Sequence, residues 1–289
     1  MRWLFEYLVL PILVLPATAT ITDGQFAHGT TVIFEHLKEE VIVAADSRAL
    51  SHGKVHRDNV CKISTYRNNG IFAAARHISA SAQSTDGKSW VWDASQTGRR
   101  ALEYAESKKG KESKALVAAR FWGNRGKEFF QSALSSKDSK EFIDLIRSEN
   151  NYGCIVEGVF VTHDNEALTV IHVEVLLKTQ GLERPTIEVK LDPPTPIGSI
   201  SIMGVSDTAL EFLREPVTAR AKAELRKWGA ALPRGLTDTQ KEEQFDIQLV
   251  QWTIDFESTE KVGGDVNAAV LDKHGVNWLR QKEYCKAAQ

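Results

Sequence analysis

The sequence predicts an α+β fold in one domain, with helices packed on both sides of paired antiparallel sheets. Three observations carry this reading. Runs rich in β-branched residues follow residue 30, helical periodicity then takes over, and strands, helices and a closing hairpin return in turn. The 289 residues, 42% hydrophobic and 26% charged, suffice for a sizeable core.

The elements follow in order. "TTVIFEHL" and "EVIVAADSR" form a hairpin, with Lys38-Glu39-Glu40 as its solvated turn. "VCKISTYRNNGIFAAAR" gives a second pair that turns at Asn68-Asn69-Gly70. From about 79 to 150 the pattern is helical. "SWVWDASQTGRRALEYAESKK" and "KALVAARFWGNRGKEFFQSAL" repeat apolar residues every three or four positions, and "DSKEFIDLIRSEN" adds a helix capped by Asp138 or Ser139. "GCIVEGVFVTHD" and "ALTVIHVEVLLK" are strands joined at Asp164-Asn165. A proline-rich connection over 191–199 leads to the strand "SISIMG" and the helix "SDTALEFLRE". Helices over about 217–228 and 238–257 follow, and "GGDVNAAVLDKHGVNWL" closes the chain as a hairpin turning at Lys273-His274-Gly275. There is no internal repeat and no low-complexity tract.

The first residues have another character. Arg2 precedes the short apolar run "YLVLPILVLPA", and Ala17-Thr18-Ala19 fits a small-x-small cleavage pattern. The run is short for a bilayer span and is broken by Pro11 and Pro16. The expectation is a signal peptide over 1–19 cut after Ala19, then a secreted or periplasmic chain with no membrane anchor; without that signal the chain would be cytoplasmic.

Charge and motif narrow the chemistry. A net charge of −2 gives no electrostatic case for nucleic acid or an anionic membrane. The three cysteines, Cys61, Cys154 and Cys285, do not make a disulfide framework, though one bridge plus one free thiol stays open. Cys61, between Val60 and Ile63, reads as a buried structural residue. His52 and His56 lack a third metal ligand, no G-x-S-x-G elbow is present, and Gly263-Gly264 lacks phosphate-loop spacing. No metal and no cofactor is expected.

What remains is the stretch "HGTTVIFEHLKEEVIVAADSR". A hairpin beginning at Thr30 returns Asp46 to the strand's start, and Asp46 and Arg48, two apart, are expected on one face. With Lys62, these residues form either a structural ion network or the support of a threonine nucleophile.

"GTTVIFEHLKEEVIVAADSRALS…NVCKI" resembles the start of a catalytic proteasome β-subunit, within the N-terminal nucleophile hydrolase superfamily. Thr30, Asp46, Arg48 and Lys62 stand at the spacing of that family's Gly-Thr, Asp-x-Arg and Lys. "GGDVNAAVLDKHGVNWL", "VEGVFVTHDNEALTVIHV" and "IMGVSDTALEFL" are similar to later family segments. The resemblance implies a four-layer αββα sandwich over 30–289 and a pro-segment over 20–29 removed by self-cleavage at Gly29–Thr30. It implies catalytic roles for Thr30, Asp46 and Lys62, a bracing role for Arg48, and an oxyanion hole at the Arg76 backbone N–H. The substrate implied is a peptide or another small amide, and a homo-oligomer is a further expectation. The chain departs from the family at Val205, Thr259 and Val262, where helper residues are polar, with Glu257 or Glu260 as nearby substitutes. It departs also at Arg76, whose side chain is expected to crowd the groove. These departures, with extra residues around 219–236, frame the alternative: a catalytically silent fold used for assembly or binding.

Overall fold

In the computed structural model, residues 19–20, 30–51, 54–84, 89–134, 139–148, 153–164, 167–179, 185–205, 207–214, 217–257 and 261–287 are described. The early chain forms the strands β1 (Ala19–Thr20), β2 (Thr31–His36), β3 (Glu40–Asp46), β4 (Ala49–Ser51), β5 (Lys54–Arg57), β6 (Ile63–Tyr66), β7 (Gly70–Arg76), β8 (Ser79–Ser84) and β9 (Ser89–Asp93), of which β3 and β7 are continuous apolar runs buried on both faces. Helices α1 (Ala94–Ser107), α2 (Lys114–Leu134) and α3 (Ser139–Ser148) follow. Next come β10 (Cys154–Asp164), β11 (Ala167–Lys178), β12 (Thr186–Leu191) and β13 (Ser199–Gly204). The chain ends with α4 (Asp207–Leu213), α5 (Ala219–Ala231), α6 (Asp238–Phe256), β14 (Val266–Asp272), β15 (Gly275–Arg280) and α7 (Glu283–Ala287).

Two five-stranded antiparallel sheets dominate, ordered β13-β2-β3-β14-β15 and β12-β11-β10-β7-β6. One buried cluster draws on both: Val32, Phe34 and Val43 from the first, Ala73, Val159 and Val161 from the second. The period of two sends the intervening residues outward. Phe72 and Phe160 therefore join Trp122 and Phe130 of α2, while Ile33 and Ala44 join Leu249 and Trp252 of α6. The α+β expectation holds, with antiparallel sheets. Among the described residues, no helix is long and apolar enough to cross a membrane.

Local readings change. The stretch from 79, expected to be helical, opens with the strand β8, and "SWVWD" is the strand β9, not the start of a helix. Val91 is 69% exposed while Trp92 is buried beside Trp122 at 5.3 Å, an alternation of period two. The helix begins only where Asp93 caps it, accepting the Gln96 N–H at 2.8 Å. Second, β12 lies at a sheet edge, alongside β11, in a stretch to which no strand was assigned. Third, β4 and β5 form a small hairpin of their own directly after the Asp46 segment. The residues of the expected signal and pro-segments lie outside the described residues, save Ala19 and Thr20, which pair with Ser84 and Gln83 of β8.

Candidate functional site

Pairing of β2 with β3 brings the start of one against the end of the other: Val32 faces Ala45, so Thr31 lies beside Asp46. The Asp46 carboxylate collects four donors. Its Oδ1 accepts the Thr31 N–H at 2.9 Å and the Lys62 ammonium at 2.8 Å. Its Oδ2 accepts the Gly263 N–H at 3.1 Å and the Arg48 N–H at 3.2 Å. The Asp46 and Lys62 side chains have no solvent exposure. Burial drives the Lys62 pKa below the ordinary lysine value, with Asp46 opposing it. Thr30 is fully buried at the head of this arrangement, and its carbonyl accepts the Val205 N–H at 2.8 Å. The Thr31 hydroxyl donates to the Val205 carbonyl at 2.6 Å.

Backbone approach here is close. Gly204 has a φ of +82°, and a Cβ on it would collide with the Thr30 carbonyl. Ser47 ties three segments together: its hydroxyl donates to the Asp58 carbonyl at 2.6 Å and accepts the Asp265 N–H at 2.8 Å. The Arg48 guanidinium grips Asp58 through Nε at 2.6 Å and Nη2 at 3.1 Å. Its hydrogen bonds hold the Asp58 carboxyl below the usual range. The expectation that Arg48 shares a strand face with Asp46 is corrected: β3 ends at Asp46, and the Arg48 side chain turns away to Asp58. Through Asp58, Arg48 ties the segment after β3 to the segment after β5.

Arg76 ends β7 with φ at +70°, a left-handed conformation that costs a residue with a Cβ. Its Nε pairs with Glu157 of β10, and its side chain is only 18% exposed. Glu157, itself buried, also accepts the Gly204 N–H at 3.3 Å and lies 3.4 Å from His172 Nε2. On its far side His172 Nδ1 meets Asp192 at 2.7 Å. Sequence reasoning missed Glu157 and His172, although a glutamate inside the apolar run "CIVEGVFV" is itself a signal of a buried partner.

Val205 contributes only its backbone to this geometry, and Val262 is buried. Glu257 caps α6 and accepts the Thr208 hydroxyl at 3.4 Å. Gly29, His52, Thr259 and Glu260 lie outside the described residues. Cys61, adjacent to Lys62, forms a disulfide with Cys285, and Cys154 is free and buried. Burial raises the Cys154 thiol well above its ordinary pKa, which makes it unreactive. No protein-family model matches the chain, and no curated protein matches it.

Proposed function

We propose that the chain is a self-processing threonine hydrolase acting on a peptide or another amide, built on a four-layer αββα sandwich. The observation that carries this reading is the fully buried Lys62–Asp46 pair, tied by Asp46 Oδ1 to the backbone N–H next to Thr30. Two buried charges are costly unless paired and hydrogen-bonded, and this pair is tied to the residue that follows Thr30, whose hydroxyl is of the type that acts as nucleophile.

The chemistry runs in two stages. The Thr30 hydroxyl attacks the Gly29 carbonyl carbon, the Gly29–Thr30 C–N bond breaks, and an ester forms. Water then hydrolyses that ester, leaving a Gly29 carboxylate and a free Thr30 amine. That amine, with a reference pKa of about 7.7–8.0, takes the proton of its own hydroxyl as a substrate carbonyl is attacked. The neighbouring Lys62 favours the deprotonated hydroxyl and the neutral amine. N–H groups two residues apart on a strand point the same way, so the Arg76 N–H follows that of Ala74, which meets the Lys62 carbonyl at 3.3 Å. This supports the Arg76 N–H as an oxyanion donor.

Export fits the same reading. The Cys61–Cys285 bridge supports an oxidising compartment, where disulfides persist. A second reading, a silent fold used for assembly or binding, is favoured by the apolar side chains of Val205 and Val262 at helper positions. N-terminal sequencing and intact mass of protein expressed from Thr20 separate the two. A mature start at Thr30, lost in Thr30→Ala, supports the hydrolase. An intact Gly29–Thr30 bond in folded protein favours the silent fold.

A further inference from the structure

Behind Thr30, on the side away from the Lys62–Asp46 pair, a chain of charges runs from the site to the sheet edge. Arg76 of β7 pairs with Glu157 of β10, Glu157 reaches His172 of β11, and His172 reaches Asp192, just beyond β12. Lys190 closes the chain, bonded to Asp192 at 3.0 Å and to Glu174 at 2.6 Å. On the facing sheet the neighbour of His172 is the uncharged Phe34 ring, at 6.4 Å. Glu157 does two things at once. It holds the side chain of a residue in left-handed backbone, and it holds the Gly204 N–H where Gly204 meets the Thr30 carbonyl.

We propose that Arg76, Glu157 and His172 form a proton-operated positioning clamp for the Thr30 site. The inference rests on the reading of Thr30 as nucleophile. With His172 charged, Glu157 stays seated, Arg76 stays left-handed and the Gly204–Val205 turn stays against Thr30. When His172 loses its proton, Glu157 loses one of its two cationic partners and the turn loosens. Burial works against the His172 charge, but the bonds to Glu157 and Asp192 outweigh it and raise its pKa above the ordinary value. A histidine raised in this way keeps its contribution in acid and loses it as pH climbs through the raised pKa. In this clamp the three side chains are positioning groups: they act through Glu157 on the Gly204 backbone that meets Thr30, apart from any role of the Arg76 N–H.

The test uses mature protein labelled at Thr30 by a β-lactone, followed by intact mass from pH 5 to 9. Wild type is expected to give a bell, rising as the Thr30 amine deprotonates and falling as His172 does. His172→Gln is expected to lose the falling limb and to drop the plateau about tenfold, the worth of one charge-assisted hydrogen bond. Glu157→Gln removes the charge that His172 serves and is expected to lose the falling limb in the same way, so that adding His172→Gln to it changes nothing further. An unchanged bell in folded His172→Gln overturns the clamp. So does a folded Glu157→Gln, His172→Gln double variant that labels well below Glu157→Gln alone. A wild-type protein that is neither processed nor labelled overturns the hydrolase reading itself, a failure distinct from that of the clamp.

Discussion

The β2–β3 pair buries charge at both ends, and the two ends do so in opposite ways. At the Thr30 end, Asp46 meets Lys62 and three backbone N–H groups. At the turn end, Glu35 and Glu40 lie beneath α6, which presents Glu242, Glu243 and the fully buried Asp246. There both Asp246 oxygens, Glu35 Oε2 and Glu40 Oε1 have no hydrogen-bond partner among the described residues. The charged groups that act on these three acids are other carboxylates: Glu242, Glu243, Glu35 and Asp272. Burial, reinforced by these neighbours, pushes Glu35 and Glu40 up to about 7 and Asp246 well above its ordinary value. The first end keeps its charges by pairing them; the second loses them by holding protons. A buried ion therefore marks the candidate site because it is supported, not merely because it is buried.

Breaking the paired end has the largest expected effect. Asp46→Ala strands Lys62 in a site without solvent and is expected to cost about 3–5 kcal/mol in urea unfolding. Removing the nearby bridge with Cys61→Ser and Cys285→Ser is expected to cost about 2–4 kcal/mol, read from the same experiment. The unpaired end responds with the opposite sign. Asp246→Leu replaces an unsatisfied acid among Leu249, Val250 and Trp252 and is expected to add about 1–3 kcal/mol at pH 8, and less at pH 5. The pH dependence of the wild type follows from the same groups. Between 4.5 and about 7 the folded chain keeps protons on Glu35 and Glu40 that the unfolded chain releases. Stability is therefore expected to fall as pH rises through that window, and thermal melts at pH 5 and 8 check it. The smallest effect is expected at Arg48→Lys, about 0.2–1 kcal/mol, because its partner Asp58 is partly exposed and only the fork geometry is lost.

Legibility differed by residue. The return of Asp46 to the start of β2 was readable because one hairpin suffices to bring it there. The Arg76 conformation was not legible, because the partner that holds its side chain, Glu157, lies 81 residues along the chain. β9 was misread because two tryptophans and a valine suit either period, and only Trp92 packed against α2 decides for the strand. Cys61 looked structural from its apolar neighbours, yet its partner Cys285 lies 224 residues away, beyond any local pattern.

Sequence alone determined the alternation of strand-rich and helix-rich stretches, the β2–β3 hairpin and the return of Asp46 to its start. Each depends on side-chain periods of two or 3.6 and on one tight hairpin, all written within a few residues. Tertiary structure decided which buried charges are paired, where Arg76 points, which cysteines join, and that Asp246 faces other acids. These are contacts between elements far apart in the chain, and a charge's fate depends on the dielectric and the partner it meets there, neither of which the residue itself carries.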